Sequence, residues 1–227
     1  MYVVSFVNGK GGVGKTTATV NVARALNLRG YRVGVIDTDP AASTLDWISQ
    51  ERKGGDSLSD YIQVRGLTSP VIDKQVKLIT DCDFVLIDGA AKADEMTASA
   101  IRASDLVVIP VRPSAVDLKQ SRDVVDMVHH RQLIDPALKA GFLVSQSDDR
   151  TTLASVVRDL LATMDLPMFH TSLAMRADYA TSAFYCSSVI EDAPRSKAAR
   201  EVAALTDEIE AMADGSGRLQ VLTDNQE

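Results

Sequence analysis

Cysteine is scarce: Cys82 and Cys186 are the only two in 227 residues, and they stand far apart. That spacing excludes a disulfide framework and a cysteine metal set, and predicts two small buried apolar residues in a reducing compartment. Histidine occurs three times. His129 and His130 are adjacent and have no visible ligand set around them, which points to a solvated or helix-terminal role. No apolar run approaches the length of a membrane span, and the first apolar residues read as a strand of the domain, not as a secretory leader. Positive charge is also in deficit. A net charge of -7 excludes a protein that coats nucleic acid over its whole surface and leaves room only for a local basic face. What remains is ordinary, with 45% hydrophobic and 24% charged residues in a length that suits one α/β domain and no second large one. The expectation is a cytoplasmic protein with a single domain over 1–213 and a polar, mobile tail over 214–227.

The most informative stretch is Gly9-Lys10-Gly11-Gly12-Val13-Gly14-Lys15-Thr16, which fits the pattern G-x-x-x-x-G-K-[ST] at every fixed position. Val3, Val4, Phe6 and Val7 before it read as a buried strand, and Thr16 to Arg29 after it as a helix closed by Gly30. In that context the glycines let successive backbone N–H groups face phosphate oxygens, and the following helix aims its positive end at the same anion. Lys15 adds a point charge, Thr16 offers a hydroxyl to Mg²⁺, and Thr17 completes the nucleotide-contacting run. Two further apolar runs end in acids. Val33 to Ile36 leads into Asp37-Thr38-Asp39-Pro40, and Phe84-Val85-Leu86-Ile87 ends in Asp88, a buried parallel strand that carries an aspartate to the metal.

The rest of the chain alternates strand and helix, which predicts a doubly wound α/β fold with a mostly parallel sheet flanked by helices. Ser43 to Gln50 reads as a short helix in which Trp47 goes to the core in preference to a partner. Ser69-Pro70 with Ile72, Val76 and Ile79 reads as a capped covering helix. Leu106 to Ile109 and Phe142 to Val144 read as buried strands. Ser114 and Asp117 form a capping box for a long helix through Val124, Val125, Val128 and Leu133. Thr152 to Met164 reads as a helix, and Leu166 to Leu173 as a strand-like run. In the C-terminal part a helix begins near Lys197 and runs through Val202, Leu205 and Ile209; Lys197 and Arg200 share one face of it, while Arg195 points elsewhere.

The spelling K-G-G-V-G-K-T-T, with Lys10 ahead of Lys15, resembles the deviant Walker A (SIMIBI) class of P-loop NTPases, which includes ParA-like partition ATPases, MinD-like division regulators, the nitrogenase iron protein and amide-forming biosynthetic enzymes. The resemblance covers nearly all of the chain, and the D-G-A sequence at Asp88 is similar to the small ParF-type plasmid partition proteins. It implies ATP and Mg²⁺ as cofactors and a nucleotide-dependent homodimer in which Lys10 reaches the other subunit's phosphates. By the same resemblance Lys10, Lys15 and Asp39 serve catalysis, with Asp39 positioning the attacking water. Thr16, Asp37 and Asp88 serve the metal, Asp37 through a water of its shell. Many relatives have glutamine where this chain has Ala41. The adenine pocket is expected near Ser145, Gln146 and Thr171.

The resemblance further implies DNA segregation: an ATP-bound dimer that associates with the nucleoid and binds DNA without sequence preference through Arg176, Arg195, Lys197 and Arg200. A centromere-binding adaptor of the ParB or ParG kind stimulates hydrolysis. A solvated basic helix start is the competing reading for those cations. Because the strand into the loop begins at Tyr2, no helix-turn-helix precedes it, and direct promoter repression is not expected. Positioning of a protein cargo is the nearest alternative, and amide-forming biosynthesis the alternative of another class. Membrane targeting would need a cationic amphipathic C-terminal helix, which residues 219–227 do not spell. An iron–sulfur role would need cysteines placed to share a cluster, which Cys82 is not.

Overall fold

The computed structural model describes residues 1–52, 54–92, 94–147 and 159–221, with the side chains of 115 and 116 aside. Seven strands form one sheet in the order β3-β2-β4-β1-β5-β6-β7, and every strand ladder in it is parallel. The strands are β1 (Tyr2–Phe6), β2 (Val33–Asp37), β3 (Gln63–Gly66), β4 (Phe84–Asp88), β5 (Leu106–Val111), β6 (Lys139–Ser147) and β7 (Leu173–Ala174). The four central ones, β2, β4, β1 and β5, are mostly apolar and, apart from half-buried Tyr2, buried throughout, because helices cover both faces. Alternate residues feed two cores. Val3, Val85, Ile87 and Ile109 belong to one, and Val4, Phe6, Leu86 and Val108 to the other.

The second core is closed by α1 (Lys15–Leu28), α2 (Ser43–Ser49) and the last helix. The first is closed by α3 (Ile72–Gln75), α4 (Glu95–Ala103), α5 (Ala115–Gln120) and α6 (Arg122–Ile134). After β7 come α7 (Ala177–Phe184), α8 (Val189–Asp192) and α9 (Lys197–Asp214). Trp47 goes to the core as expected, 9% exposed, and its indole N–H donates to the Ser187 carbonyl at 2.9 Å. Among the described residues no helix is long and apolar enough to cross a membrane.

Several local expectations change. The long helix from Ser114 is broken at Ser121 into α5 and α6, and the Ser114 side chain caps nothing. Asp117 cannot complete the box because it is buried against the Arg112 guanidinium. Leu133 is 82% exposed and leaves the apolar stripe; Leu138, four percent exposed, closes that end of the core. The covering helix at Ile72 is a single turn followed by a 3₁₀ turn, Val76–Leu78, and Ser69 does not cap it, although Ile72, Val76 and Ile79 are buried as the pattern requires. Of the run 166–173, Met168 forms isolated bridges to Phe142 and Gln220, and only Leu173 enters a named strand. Helix α4 has no counterpart among the expectations. Its signal is nevertheless local, because Asp94 accepts from the amides of Met96 and Thr97.

The expected helix 152–164 lies outside the described residues as far as 158; residues 159–162 are helical. The tail expected to be mobile begins with a docked segment. Gln220 and Met168 exchange backbone hydrogen bonds of 2.8 and 2.9 Å, and Leu219 packs on the core. Residues 222–227 lie outside the described ones.

Candidate nucleotide site

In-register pairing brings the chemistry together. Phe6 and Asp37 both lie opposite Asp88, so the ends of β1, β2 and β4 reach one level at the edge of the sheet where the phosphate loop leaves β1. The loop turns through Gly12 (φ 72°) and Gly14 (φ 87°), a left-handed backbone that a side chain would strain. Gly89 is required for a different reason. A Cβ there would lie 2.8 Å from Val7 Cγ1 and 2.9 Å from the Phe6 carbonyl oxygen, so β4 can pass the loop's entry only without a side chain.

Buried polar groups hold the loop from behind. Asn8, fully buried, donates to the Pro110 carbonyl (2.7 Å) and the Ser121 hydroxyl (3.0 Å), while its Oδ1 accepts from the Lys10 amide (3.0 Å). The break between α5 and α6 at Ser121 thus serves the site. Ser145 donates to the Val13 carbonyl and Gln146 to the Gly12 carbonyl, each at 2.7 Å. Thr38 donates to the Asp88 carbonyl at 2.8 Å and accepts from the Ala90 amide, stitching β2 to the end of β4. Asn8, Ser121 and Thr38 carry no motif, which is why the sequence does not reveal them.

Lys15 is 7% exposed, and its ammonium donates to the Lys10 carbonyl at 2.9 Å. Burial lowers its pKa, opposed by the nearby Asp88 and Asp39 carboxylates. Asp88 is 1% exposed and takes the hydroxyls of Thr16 (2.6 Å) and Thr44 on Oδ2, whereas its Oδ1 has no partner. Burial pushes its carboxyl up to about 6; the two hydroxyls pull it down, and the Asp37 charge raises it further. A buried carboxylate oxygen without a donor, beside a threonine hydroxyl and a second aspartate, is a hard oxygen donor set that fits Mg²⁺. Asp37, also 1% exposed, is engaged by three backbone amides, those of Asp39, Thr44 and Leu45, each at 2.9 Å. In this structure it caps α2, and Asp88 has the oxygen left over for a cation. Among the described residues no cluster of three His, Cys, Asp or Glu side chains offers a competing metal site.

Without a cation, the raised pKa has a stability consequence of defined sign. Between the ordinary carboxylate pKa and about pH 6, the folded chain holds on Asp88 a proton that the unfolded chain has lost. The metal-free protein should therefore melt at lower temperature at pH 8 than at pH 5, by the equivalent of roughly 1–1.5 kcal/mol out of the ~3 kcal/mol that the whole shift is worth below the ordinary carboxylate pKa, and Asp88→Asn should remove most of that difference. Thermal melts in EDTA across pH 5–8 check this. A flat profile in the unsubstituted protein contradicts it.

Two adjoining cavities share Gly14, Thr17 and Gln146. One, about 270 Å³, is bounded by the loop, Asp39, Ser43 and Gly89. The other, about 320 Å³, is walled by Leu173, Ala174, Met175, Arg176, Tyr179 and Ala183 and has the apolar character of a base site. Thr171, expected near the base, does not line it; its amide is taken by Glu208 at 2.7 Å. Arg176, expected on a DNA-binding surface, instead belongs to this wall. Its Nε donates to Glu201 at 2.7 Å, and Glu201 also accepts from the Ala174 amide and the Tyr179 hydroxyl. Arg195, Lys197 and Arg200 are exposed at the start of α9, where the Ser196 hydroxyl caps the helix and Arg200 reaches back to the Arg195 carbonyl. Lys10 is half-buried at the rim of the loop.

A sequence profile of the CobQ/CobB/MinD/ParA nucleotide-binding domain matches residues 4–185. The chain is 30% identical to maintenance of carboxysome distribution protein A of Halothiobacillus neapolitanus, over 88% of this chain and 92% of that one. It is 26% identical to the chromosome-partitioning ATPase Soj of Thermus thermophilus, over 92% and 95% respectively. The structure superposes on cobyrinic acid a,c-diamide synthase from Mycobacterium smegmatis with bound ATP analogue and magnesium, with a TM-score of 0.78 at 19% identity, covering 98% and 99% of the two chains. At that identity the match speaks for the fold alone.

Proposed function

The chain belongs to the CobQ/CobB/MinD/ParA nucleotide-binding family, and from that premise we propose that it is an ATP-hydrolysing positioning protein whose ATP-bound dimer holds non-specific DNA and is released by a cargo-bound adaptor. Lys15 and the loop amides bind the phosphates, and Thr16 and Asp88 would hold Mg²⁺, with Asp37 behind them. The metal, when bound, neutralises charge that develops on the phosphates. Asp39, facing the phosphate cavity, orients the attacking water. Lys10 acts on the partner subunit's nucleotide, as an arginine finger does.

The observation that carries this reading is Glu201. It fastens α9, with Lys197 and Arg200 in its first turns, directly to Ala174, Arg176 and Tyr179 in the wall of the base cavity. A helix bound to the nucleotide pocket is suited to present its cations according to what the pocket holds.

The similarity to a carboxysome distribution protein favours a protein assembly as cargo. DNA partition is the second reading, supported by the similarity to a chromosome-partitioning ATPase. The ParF-like spelling Asp88-Gly89-Ala90 adds little to the plasmid reading, because packing against Val7 and Phe6 accounts for Gly89. Location in the cytoplasm, on the nucleoid in the ATP state, follows from the same proposal.

Lys10→Ala should bind ATP like the unsubstituted protein, yet fail to dimerise with it, and turnover should fall by ~10³-fold if Lys10 acts in trans. Light scattering and phosphate release test the two halves. Normal dimerisation and normal turnover would make Lys10 a solvated loop lysine. Stimulation of hydrolysis by an adaptor-coated protein assembly, against an adaptor–DNA complex, distinguishes the two cargoes.

A further inference from the structure

Helix α2, which follows Asp39 after three residues, has no local cap. Its N-cap position is Ala42, in the left-handed conformation at φ 54°, with no side chain to accept from the first-turn amides. Asp37 supplies that cap from the end of β2, its Oδ2 accepting from Thr44 and Leu45. A second attachment comes from a side chain. Thr44 is fully buried, and its hydroxyl donates to Asp88 Oδ2, the oxygen that also takes the Thr16 hydroxyl. Valine would fill the same volume with the same branching, so packing and helix propensity give no reason for a hydroxyl here. Its hydrogen is what the site uses.

The carboxylate of Asp88 therefore receives one donor from the phosphate loop and one from the segment behind Asp39, while Oδ1 stays open. A carboxylate held by a cation on Oδ1 is fixed in its plane, and Oδ2 then holds Thr44 in one place. Five residues, Thr38 to Ala42, span the gap between Asp37 and the start of α2. Asp39 itself is clamped at both ends of that span: its amide donates to Asp37 Oδ1, and its own Oδ1 accepts from Ala41.

We propose that Thr44 is a positioning residue, whose hydrogen bond to Asp88 transmits occupancy of the metal site to the segment that carries Asp39. This rests on the reading of Asp39 as the group that orients the attacking water. It makes Thr44 the reason that α2 and the metal carboxylate move as one body.

Hydrogen–deuterium exchange on the full chain loaded with a non-hydrolysable ATP analogue tests it. In the unsubstituted protein, addition of Mg²⁺ slows exchange over residues 39–50. Thr44→Val loses that Mg²⁺-dependent slowing while protection of residues 9–17 by the nucleotide persists, and Thr44→Ser restores it. In turnover, Thr44→Val lowers kcat by about tenfold, the loss of one hydrogen bond to a charged group, without changing analogue affinity. Unaltered Mg²⁺-dependent protection in Thr44→Val overturns the proposal. So does its loss in both Val and Ser variants together with a lowered melting temperature, which assigns Thr44 to packing. A chain that hydrolyses no ATP would refute the proposed function, and the exchange measurement would still decide the role of Thr44.

Discussion

Lys15→Ala should weaken ATP binding by about 10- to 100-fold, the equivalent of one charge-assisted contact of ~1.5–3 kcal/mol. The structure sharpens this expectation. Lys15 is already desolvated, 7% exposed, with burial lowering its pKa, and its ammonium donates to the Lys10 carbonyl. Its burial is compensated by the Asp88 and Asp39 charges, and the cavity in front of it is where phosphates add the larger compensation. Removing Lys15 therefore takes away an interaction whose desolvation is already met before the ligand arrives. It also leaves Asp88 without its nearest cation, so its raised pKa should rise further in the variant. Folding should suffer little, since alanine suits the first turn of α1 and no ion pair closer than the carboxylates is lost. Calorimetric titration with ATP and Mg²⁺ gives the answer. Unchanged affinity would remove the phosphate assignment for this loop.

Lys197→Glu combined with Arg200→Glu should abolish DNA binding and at the same time raise the melting temperature. Both effects have one cause. The two cations sit in the first turns of α9, at the positive end of the helix dipole, where like charge costs about 0.3–1 kcal/mol per residue. That arrangement is poor for the isolated helix and good for an anion, because side-chain charge and free helix amides point to the same phosphate. Reversal relieves the helix and repels the DNA, and on a chain of net charge -7 there is no general basic surface to compensate. A dimer presents both faces at once. Four phosphate contacts would give a log–log salt slope of roughly -3 to -4 for the unsubstituted protein, with little preference among DNA sequences. Binding should require ATP. Gel-shift titrations over a range of salt, with calorimetric melts alongside, read both consequences. DNA binding by the double variant like that of the parent would place the DNA surface elsewhere, and Arg176 would not replace it, since that side chain is committed to Glu201 in the wall of the base cavity.

The sequence by itself determined the parts of this protein whose physics is local. A run such as Phe84 to Ile87 is apolar at every position, so it can only be a strand covered on both faces, and its acid end must then lie at the ligand edge of the sheet. The loop from Gly9 to Thr16 was legible for the same reason: its glycines, lysine and threonine act within eight consecutive residues. Val202, Leu205 and Ile209 as the buried stripe of α9 were likewise written in adjacent turns, whereas the Ser196 cap of that helix came only with the structure. Tertiary structure decided what depends on register between distant segments. Strand β3 is mostly exposed and has no apolar pattern; only pairing with β2 makes it a strand. Ser114 and Asp117 spell a capping box, but Arg112 offers Asp117 a charge at close range, and the stronger partner takes it. Asp37, expected to serve the metal through a water of its shell, also holds the amides of Thr44 and Leu45, a job no local pattern announces, because Ala42 cannot cap its own helix. Arg176 was expected on the surface and is drawn inward by Glu201, twenty-five residues away. Short-range patterns identify which groups can bind a nucleotide. Which oxygen of Asp88 remains free to do so is set by hydroxyls from Thr16 and Thr44, brought to it from two other elements by the packing of the sheet.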